Sequence, residues 1–538
     1  MRVRRELSRR QFLELSSAAA ASAAAVSLVN GRSALAAPRA VQLATPTASE
    51  GQAGGTLNYA EAGDFEDFNP WAFSAVNMGM YNQVYSRLLW KDTEGELHPE
   101  IAESWQLADD GLSLTLTLRQ DVMWHDGQAC TAESFVTMFG YLQDEALAEY
   151  EGVTKIQGLF GPITDVQAVD EYTLELTFSA PVPYILDILD YWFAVRIEDT
   201  ADPQMLQSLP IGTGPFTLTE WEPAQFARLQ KFDDYFEPEL PYLDEIMFQR
   251  LDQAETLVPN LQSGTISGIQ LTAPSDVEPL LDDDTYAVDI IEAAGSIFNI
   301  IVNVNKAPFD QKEVRQALAY SLNREGMAET AFFGVSSPIS SPFFSESSLA
   351  YREDLVTAYP FDLEMAASLL EGAGVSDLEM TINVTPVWPQ MQLYSLIWQA
   401  DLATIGVQLT VNEVEAAQFY DIGGAADLLG FDVHPWLVGR TTRDPAIFFS
   451  TQGIYRGGAD NRFGYVNQEI EDLVAEGAVE VDEEKRREIY QRLNEIVVDS
   501  SHIIQVATDP RIWVFDAAIQ GAHWDLAGNL HADTISLA

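Results

Sequence analysis

His125 and Asp126 stand side by side in Met123-Trp-His-Asp-Gly127, and an imidazole beside a carboxylate can hold a metal ion or pass a proton. The surroundings favour a plainer use. The pair sits in a turn before Gly127, where an aspartate accepts backbone hydrogen bonds, and no second His or Cys stands at ligand spacing. The glycine pair in Pro210-Ile-Gly-Thr-Gly-Pro-Phe216 could cradle a phosphate, but that needs a helix whose N-terminus points at the anion, usually with a lysine. Pro215 and the alternation Phe216-Thr-Leu-Thr-Glu220 give a strand there instead. With 82 acidic residues some carboxylate pairs arise by accident, and neither GxSxG nor HExxH occurs. Cys130 is the single cysteine, which excludes an intramolecular disulfide and any CxxC pair. No catalytic residue, no metal set and no cofactor is expected from these patterns.

The elements that would position a binding site are better marked. In Phe298-Asn-Ile-Ile-Val-Asn-Val-Asn305, Phe298, Ile300, Val302 and Val304 alternate with Asn299, Ile301, Asn303 and Asn305, a period-2 strand with one apolar face. Asparagine is a poor strand former, so several on one face suggest hydrogen bonds used by solvent or by a bound solute. A helix follows, with Asp310 as N-cap, Glu313 three residues on, and a stripe of Val314, Ala317, Leu318 and Leu322. Upstream, Gly55–Glu61 reads as a strand and Tyr81–Leu89 as a helix. Two hairpins follow, Trp105–Leu107 with Leu112–Arg119 and Asp165–Val169 with Tyr172–Phe178, and a helix opens at Thr131 between them. Downstream, Phe361–Gly374 is a capped helix. Met380–Val384, Pro389–Ile405 and Val407–Val411 then form a βαβ unit, which predicts a parallel pair. Phe431–Trp436 reads as a strand, Gln468–Gly477 and Asp482–Asp499 as helices, and Ile503–Phe515 returns the chain.

At 538 residues the chain has room for two or three domains, with 47% hydrophobic and 21% charged residues as in soluble globular proteins. Lys+Arg 29 against Asp+Glu 82 leaves a net charge of -53, a field that repels nucleic acid and anionic lipid and suits work at high salt. Arg2, Arg4, Arg5, Arg9 and Arg10 precede an Ala/Ser-rich run from Ser16 to Val29 and small residues at Ala34-Leu-Ala36, the order of an export signal. Ser8-Arg-Arg-Gln-Phe-Leu13 resembles the twin-arginine consensus, with Glu14 where a lysine is common. No cysteine lies near Ala36 for a lipid anchor, residues 37–55 read as a flexible leader, and no later run is apolar enough to span a membrane.

The ordered segments Asp64-Phe-Glu-Asp-Phe-Asn-Pro-Trp71, Gly95 to Trp105, Met123 to Gly127, Gly212-Thr-Gly-Pro215 and Phe298 to Asn323 resemble those of the extracytoplasmic solute-binding proteins of peptide/nickel-type ABC importers. The resemblance runs from Gly55 to Gln520. It implies a periplasmic-binding-protein-like α/β two-lobe fold (type II, cluster C) with an inserted lobe. Residues 56–85, 208–297 and 516–538 would form lobe I, 86–207 the inserted lobe II, and 298–515 lobe III with the crossing segments. The protein would be an exported, monomeric, non-enzymatic protein that closes around a peptide or similar solute and delivers it to a permease and ATPase. Oligosaccharide or acidic-solute binding, a secreted hydrolase and a sensory surface protein are the alternatives. Peptide-binding members hold the peptide ammonium on an aspartate three residues before an Asp-Pro pair. Here that pair is Asp444-Pro445 and the residue is Thr441. Arg440 and Arg443 stand nearby, to meet an acidic or hydroxyl-bearing ligand or to pair with surface carboxylates. Trp388 and Trp436 lie in loops that line the cleft in relatives, although a core role is open to either. The resemblance thus assigns ligand contact to Asp64, Phe65, Trp71, Asn303, Asn305, Trp388, Trp436, Arg440, Arg443 and Asp444.

Overall fold

Thr56–Glu61 buries Leu57 and Tyr59 on one side and Ala60 on the other, so it sits inside a sheet covered on both faces. It pairs in parallel with Glu245–Arg250 and with Gly268–Leu271. The computed structural model that shows this describes residues 53–62, 68–70, 78–144, 153–197, 210–251, 253–271, 273–424, 431–439, 443–458, 461 and 463–538.

The main sheet has ten strands, in the order Gln408–Glu413, Glu379–Val384, Val433–Val438, Tyr286–Val302, Ile503–Asp516, Gly268–Leu271, Thr56–Glu61, Glu245–Arg250, Phe226–Lys231 and Phe216–Glu222. The two central strands are long and antiparallel. Tyr286–Ile291 pairs with Arg511–Asp516, and Ser296–Ile301 pairs with Ile503–Asp509. Between Ile291 and Ser296 the register shifts, and Gly295 there has φ 72°. One half of the sheet therefore hangs on one end of this strand pair and the second half on the other.

The expected strand from Phe298 begins twelve residues earlier, at Tyr286, and ends at Val302. Both of its faces are buried: Phe298, Ile300 and Val302 enter one core, Ile297 and Ile301 another. Asn299 is sealed between them. Its Nδ2 donates to the Ile297 carbonyl at 3.0 Å, and its Oδ1 accepts from the Tyr455 hydroxyl at 2.9 Å. The amide is thus satisfied inside the protein rather than by solvent. The helix that follows is Lys312–Tyr320, with Gln311 and not Asp310 at the N-cap and no side-chain cap bond; Asp310 gives its carbonyl to Arg315 Nη1 at 3.0 Å. Val314, Ala317 and Leu318 form the expected buried stripe.

Glu379–Val384 and Gln408–Glu413 are the parallel pair that the βαβ pattern predicts, joined by the helix Pro389–Ala403. Ala102–Leu107, Ser113–Leu118, Thr173–Phe178 and Ile163–Asp170 make a separate antiparallel sheet of two hairpins. The helix Ala132–Leu142 opens beside it on a Thr131/Ser134 capping box. The predicted Tyr81–Leu89 helix is corrected: helix runs Met78–Val84, and Leu89–Lys91 is a strand paired with Leu97–Pro99. The chain turns extended because the Arg87 guanidinium is buried between Asp190 at 2.7 Å and Asp525 at 3.1 Å.

His125 and Asp126 hold this region to the main sheet. The His125 N–H donates to the Gly212 carbonyl at 2.9 Å and its Nε2 to that of Gly214 at 3.0 Å, while Asp126 is ion-paired with Arg196. The Gly212 bond comes from the His125 backbone; burial pushes the imidazole pKa down to about 4, so a neutral ring makes the bond to Gly214. The two glycines pass against the Val84 backbone, where a Cβ on Gly214 would stand 2.6 Å from the carbonyl carbon. Phe216–Glu222 follows as a strand, as expected.

Candidate functional site

Strand direction brings two edges together. Gly268–Leu271 runs along the return strand from Phe515 toward Ile512, and Thr56–Glu61 runs beside it, so both end at the break in the central pair. In the second half Val433–Val438 runs along the first crossing strand from Val302 toward Ile297, with Glu379–Val384 and Gln408–Glu413 parallel to it. These strands end at the same break. Crevices outside the carboxyl ends of parallel strands are where open α/β sheets bind ligands.

The first wall is polar. Gln270 bridges Glu61 and Arg511: its Nε2 donates to Glu61 Oε2 at 3.0 Å and its Oε1 accepts from Arg511 Nη1 at 2.7 Å. The Tyr59 hydroxyl donates to Glu61 Oε2 at 3.1 Å. Burial raises the Glu61 pKa to about 7 against the opposing pull of Tyr59 and Arg511, and burial likewise raises Asp509 to about 7 against Arg511. On the crossing strands Glu292 accepts from Ser337 Oγ at 2.6 Å and Thr508 Oγ1 at 3.3 Å.

The second wall is aromatic. Trp388 follows the Glu379–Val384 strand as N-cap of the next helix, and its indole N–H donates to the Tyr420 hydroxyl at 3.1 Å. Trp436 stacks on Phe419 at 6.0 Å and meets Tyr420 edge-on at 6.3 Å, while Trp388 stands edge-on to Phe298 at 6.2 Å. Both tryptophans are half-buried and Tyr420 is exposed, so each backs onto the core with part of its ring outside.

Of the residues singled out in the sequence, Trp388 and Trp436 come together in this wall. Asn303 and Asn305 lie at the opposite end of the strand, where their Nδ2 groups donate to the carbonyls of Phe431 at 2.9 Å and Phe463 at 3.2 Å. Arg443 is buried, ion-paired with Asp190 and set 4.6 Å over the Tyr191 ring. Burial disfavours its charge, but Asp190 outweighs that and raises its pKa. Asp444 caps the helix Pro445–Thr451 through the Ala446 N–H at 2.9 Å and pairs with Arg486 at 2.8 Å. Asp64, Phe65, Trp71 and Arg440 lie outside the described residues. Glu61, Gln270, Arg511, Asp509 and Tyr420 were not singled out. The ends of the Gly55–Glu61 and Ile503–Phe515 strands were the available signal, but the hydrogen bonds linking them join residues hundreds of positions apart.

Residues 96–455 match the family model of the bacterial extracellular solute-binding proteins, family 5 (middle region), and the chain belongs to that family. The dipeptide-binding protein of Escherichia coli K12 is 26% identical, over 90% of this chain and 94% of its own length. Among solved structures, the ABC transporter substrate-binding protein CtaP of Listeria monocytogenes superposes with a TM-score of 0.80 at 24% identity, covering 90% of this chain and all of its own. DppA of Helicobacter pylori, in complex with the peptide STSA, gives 0.74 at 22% identity, over 90% of this chain and 98% of its own. The fold is the α/β two-lobe fold of periplasmic binding proteins.

Proposed function

We propose that the protein captures a peptide or similar small solute between the polar wall at Glu61, Gln270 and Arg511 and the aromatic wall at Trp388, Tyr420 and Trp436, and delivers it to an ABC importer. The observation that carries this is the meeting of two sets of parallel strand ends at one break in the central strand pair. Among the described residues the two halves of the main sheet join through the two central strands, with Gly295 at the break, so a rotation there opens or closes the space between the walls. The lobes are residues 56–85, 208–297 and 516–538, then 86–207, then 298–515, this last range including the crossing segments that reach back to the first half, with the hinge at 292–296 and 509–511.

The ligand is held without the ammonium anchor of the peptide-binding members, since Thr441 occupies that position. Arg443 is neutralised by Asp190, which leaves Arg511 to meet a carboxylate and the neutral or ionised Glu61 to meet an amide or amine. A neutral or zwitterionic solute with an apolar or aromatic part fits this balance. Oligosaccharide binding is the second reading, favoured by the tryptophan and tyrosine faces, which suit sugar rings. The protein acts as a monomer outside the cytoplasm, exported by the twin-arginine-like signal and cleaved near Ala36. It binds without turnover. Mass spectrometry of the solute carried through a mild purification, followed by calorimetric titration, tests the reading. One equivalent of peptide bound unchanged supports it, a sugar moves it to the second reading, and hydrolysis of the bound solute refutes both. Terminal sequencing that finds Met1 intact refutes the export signal.

A further inference from the structure

The C-terminal hairpin carries two of the six histidines of the chain, and they face each other. Its strands His523–Trp524 and Leu530–His531 pair antiparallel with His523 directly opposite His531. Asp533 follows two residues later, and one nitrogen from each histidine and one carboxylate oxygen lie within 4.8 Å of one another.

The hydrogen bonds around His523 fix its tautomer. Thr534 Oγ1 donates its one proton to the Gly521 carbonyl at 2.7 Å, so at 2.9 Å from His523 Nδ1 it accepts from an Nδ1–H. In the neutral ring Nε2 then carries a lone pair. It stands 3.6 Å from Asp533 Oδ1, a buried oxygen with no hydrogen-bond partner among the described residues. Two acceptors facing each other across that gap repel, and a cation between them converts the repulsion into two bonds. The Nδ1–H held by an outer hydroxyl is the support that metal-ligating imidazoles commonly use. His531 stacks on Trp90, at 4.6 Å, and on His523, at 5.0 Å, and Trp90 also meets His523 at 5.7 Å. Its Nε2 lies 3.1 Å from Arg87 Nη2, which also has Asn82 Oδ1 at 2.9 Å and Asp525 Oδ2 at 3.1 Å, so Arg87 keeps acceptors if His531 turns to a metal.

We propose that His523, His531 and Asp533 form a binding site for a divalent transition-metal ion, apart from the cleft. Two imidazoles and one carboxylate suit a borderline cation such as zinc, with the half-exposed side of His523 as the way in and water completing the coordination. A metal bound there ties the hairpin strands together and stabilises the folded chain by mass action.

The test uses the purified full chain, stripped with EDTA, dialysed, and titrated with zinc chloride while excess magnesium occupies surface carboxylates. Cobalt(II) absorption reports the nitrogen and oxygen ligand set. The variants are His523→Ala and Asp533→Asn, at the rim of the site; His531 is left alone because it packs against Trp90. The expected result is one equivalent of zinc, a higher melting temperature with zinc, and affinity lower by roughly tenfold or more in each variant, with the zinc-free melting temperature little changed. Absence of stoichiometric binding by the unmodified chain overturns the proposal. Binding that both variants leave unchanged also overturns it.

Discussion

Trp436 packs on Phe419 and Tyr420 and is half-buried, and in the proposed reading the exposed part of its indole meets the solute. Trp436→Ala should therefore weaken solute binding by about 1–3 kcal/mol, less than the ~3–5 kcal/mol of stability that a core tryptophan such as Trp398 gives up on the same change. Calorimetry and thermal melting of the variant check both halves of this. Unchanged affinity with a collapsed melting temperature would put Trp436 in the core. On the opposite wall Glu61 makes a sharper expectation. Its pKa rises from an ordinary 4.5 to about 7 when folded, so the folded protein binds more protons in that interval. The contribution of Glu61 to stability is fully present below its unfolded pKa and is lost as pH rises through the folded one. Glu61→Gln cannot ionise and escapes that loss. Between pH 4.5 and 8 the stability difference should move toward the variant by about 3 kcal/mol, read from urea unfolding at several pH values. A constant difference would mean that Glu61 is solvated. The two tryptophans were named in the sequence through the family resemblance alone, and the structure puts Trp388 after one strand and Trp436 inside another. The polar wall was not legible there, because Glu61, Gln270 and Arg511 are ordinary residues until three strands align them.

Elements with a strong local period were legible, and those decided by distant partners were not. The βαβ unit, both hairpins and the helices from Gln468 onward follow their apolar spacing and their caps, as with Asn467 and Asp482, whose side chains accept from Glu469 and Lys485 N–H groups. The Tyr81–Leu89 stretch has a helical pattern, yet buried carboxylates from residues 190 and 525 pull Arg87 out of it. The first half of the crossing strand, Tyr286–Ile291, carries Asp289 among its apolar residues, and only pairing with Arg511–Asp516 makes it a strand. Asn299 had the same fate: its amide reads as a solvent-facing group until Tyr455 is seen to occupy it. The glycines at 212 and 214 belong to this scale, since their role is to let one loop lie against the Val84 backbone while His125 closes over it. Gly214→Ala should destabilise the protein by roughly 1–3 kcal/mol or more, because the atoms it meets are backbone and cannot turn aside. Unfolding in urea gives the value. A neutral result would show that the loop can shift, and that His125 does not depend on its position.

Charge acts on the whole molecule at once. If every one of the 29 lysines and arginines neutralised an acid, 53 acids would remain unpaired. Two such charges 10 Å apart in water repel by ~0.4 kcal/mol, small singly but summed over many neighbours on one surface. Salt shortens the reach of that repulsion, to ~10 Å at 0.1 M and ~3 Å at 1 M. It also weakens exposed ion pairs such as Arg487 with Glu483 and Arg492 with Glu469, but pairs of that kind contribute only ~0.2–1 kcal/mol each. The enclosed pairs of Arg87 and Arg443 with Asp190 are shielded from added ions and change little. Repulsion among the excess acids therefore dominates the response, and the melting temperature should climb with sodium chloride from low salt to about 1 M, most steeply at the low end where screening changes fastest. A scan of melting temperature against sodium chloride at pH 7.5, repeated at pH 4 where many of the acids are protonated, separates screening from a general salt effect. The climb should be large at the higher pH and shallow at the lower one. Equal slopes at the two values would mean that salt acts on apolar burial, and that the acid excess is not what limits the fold.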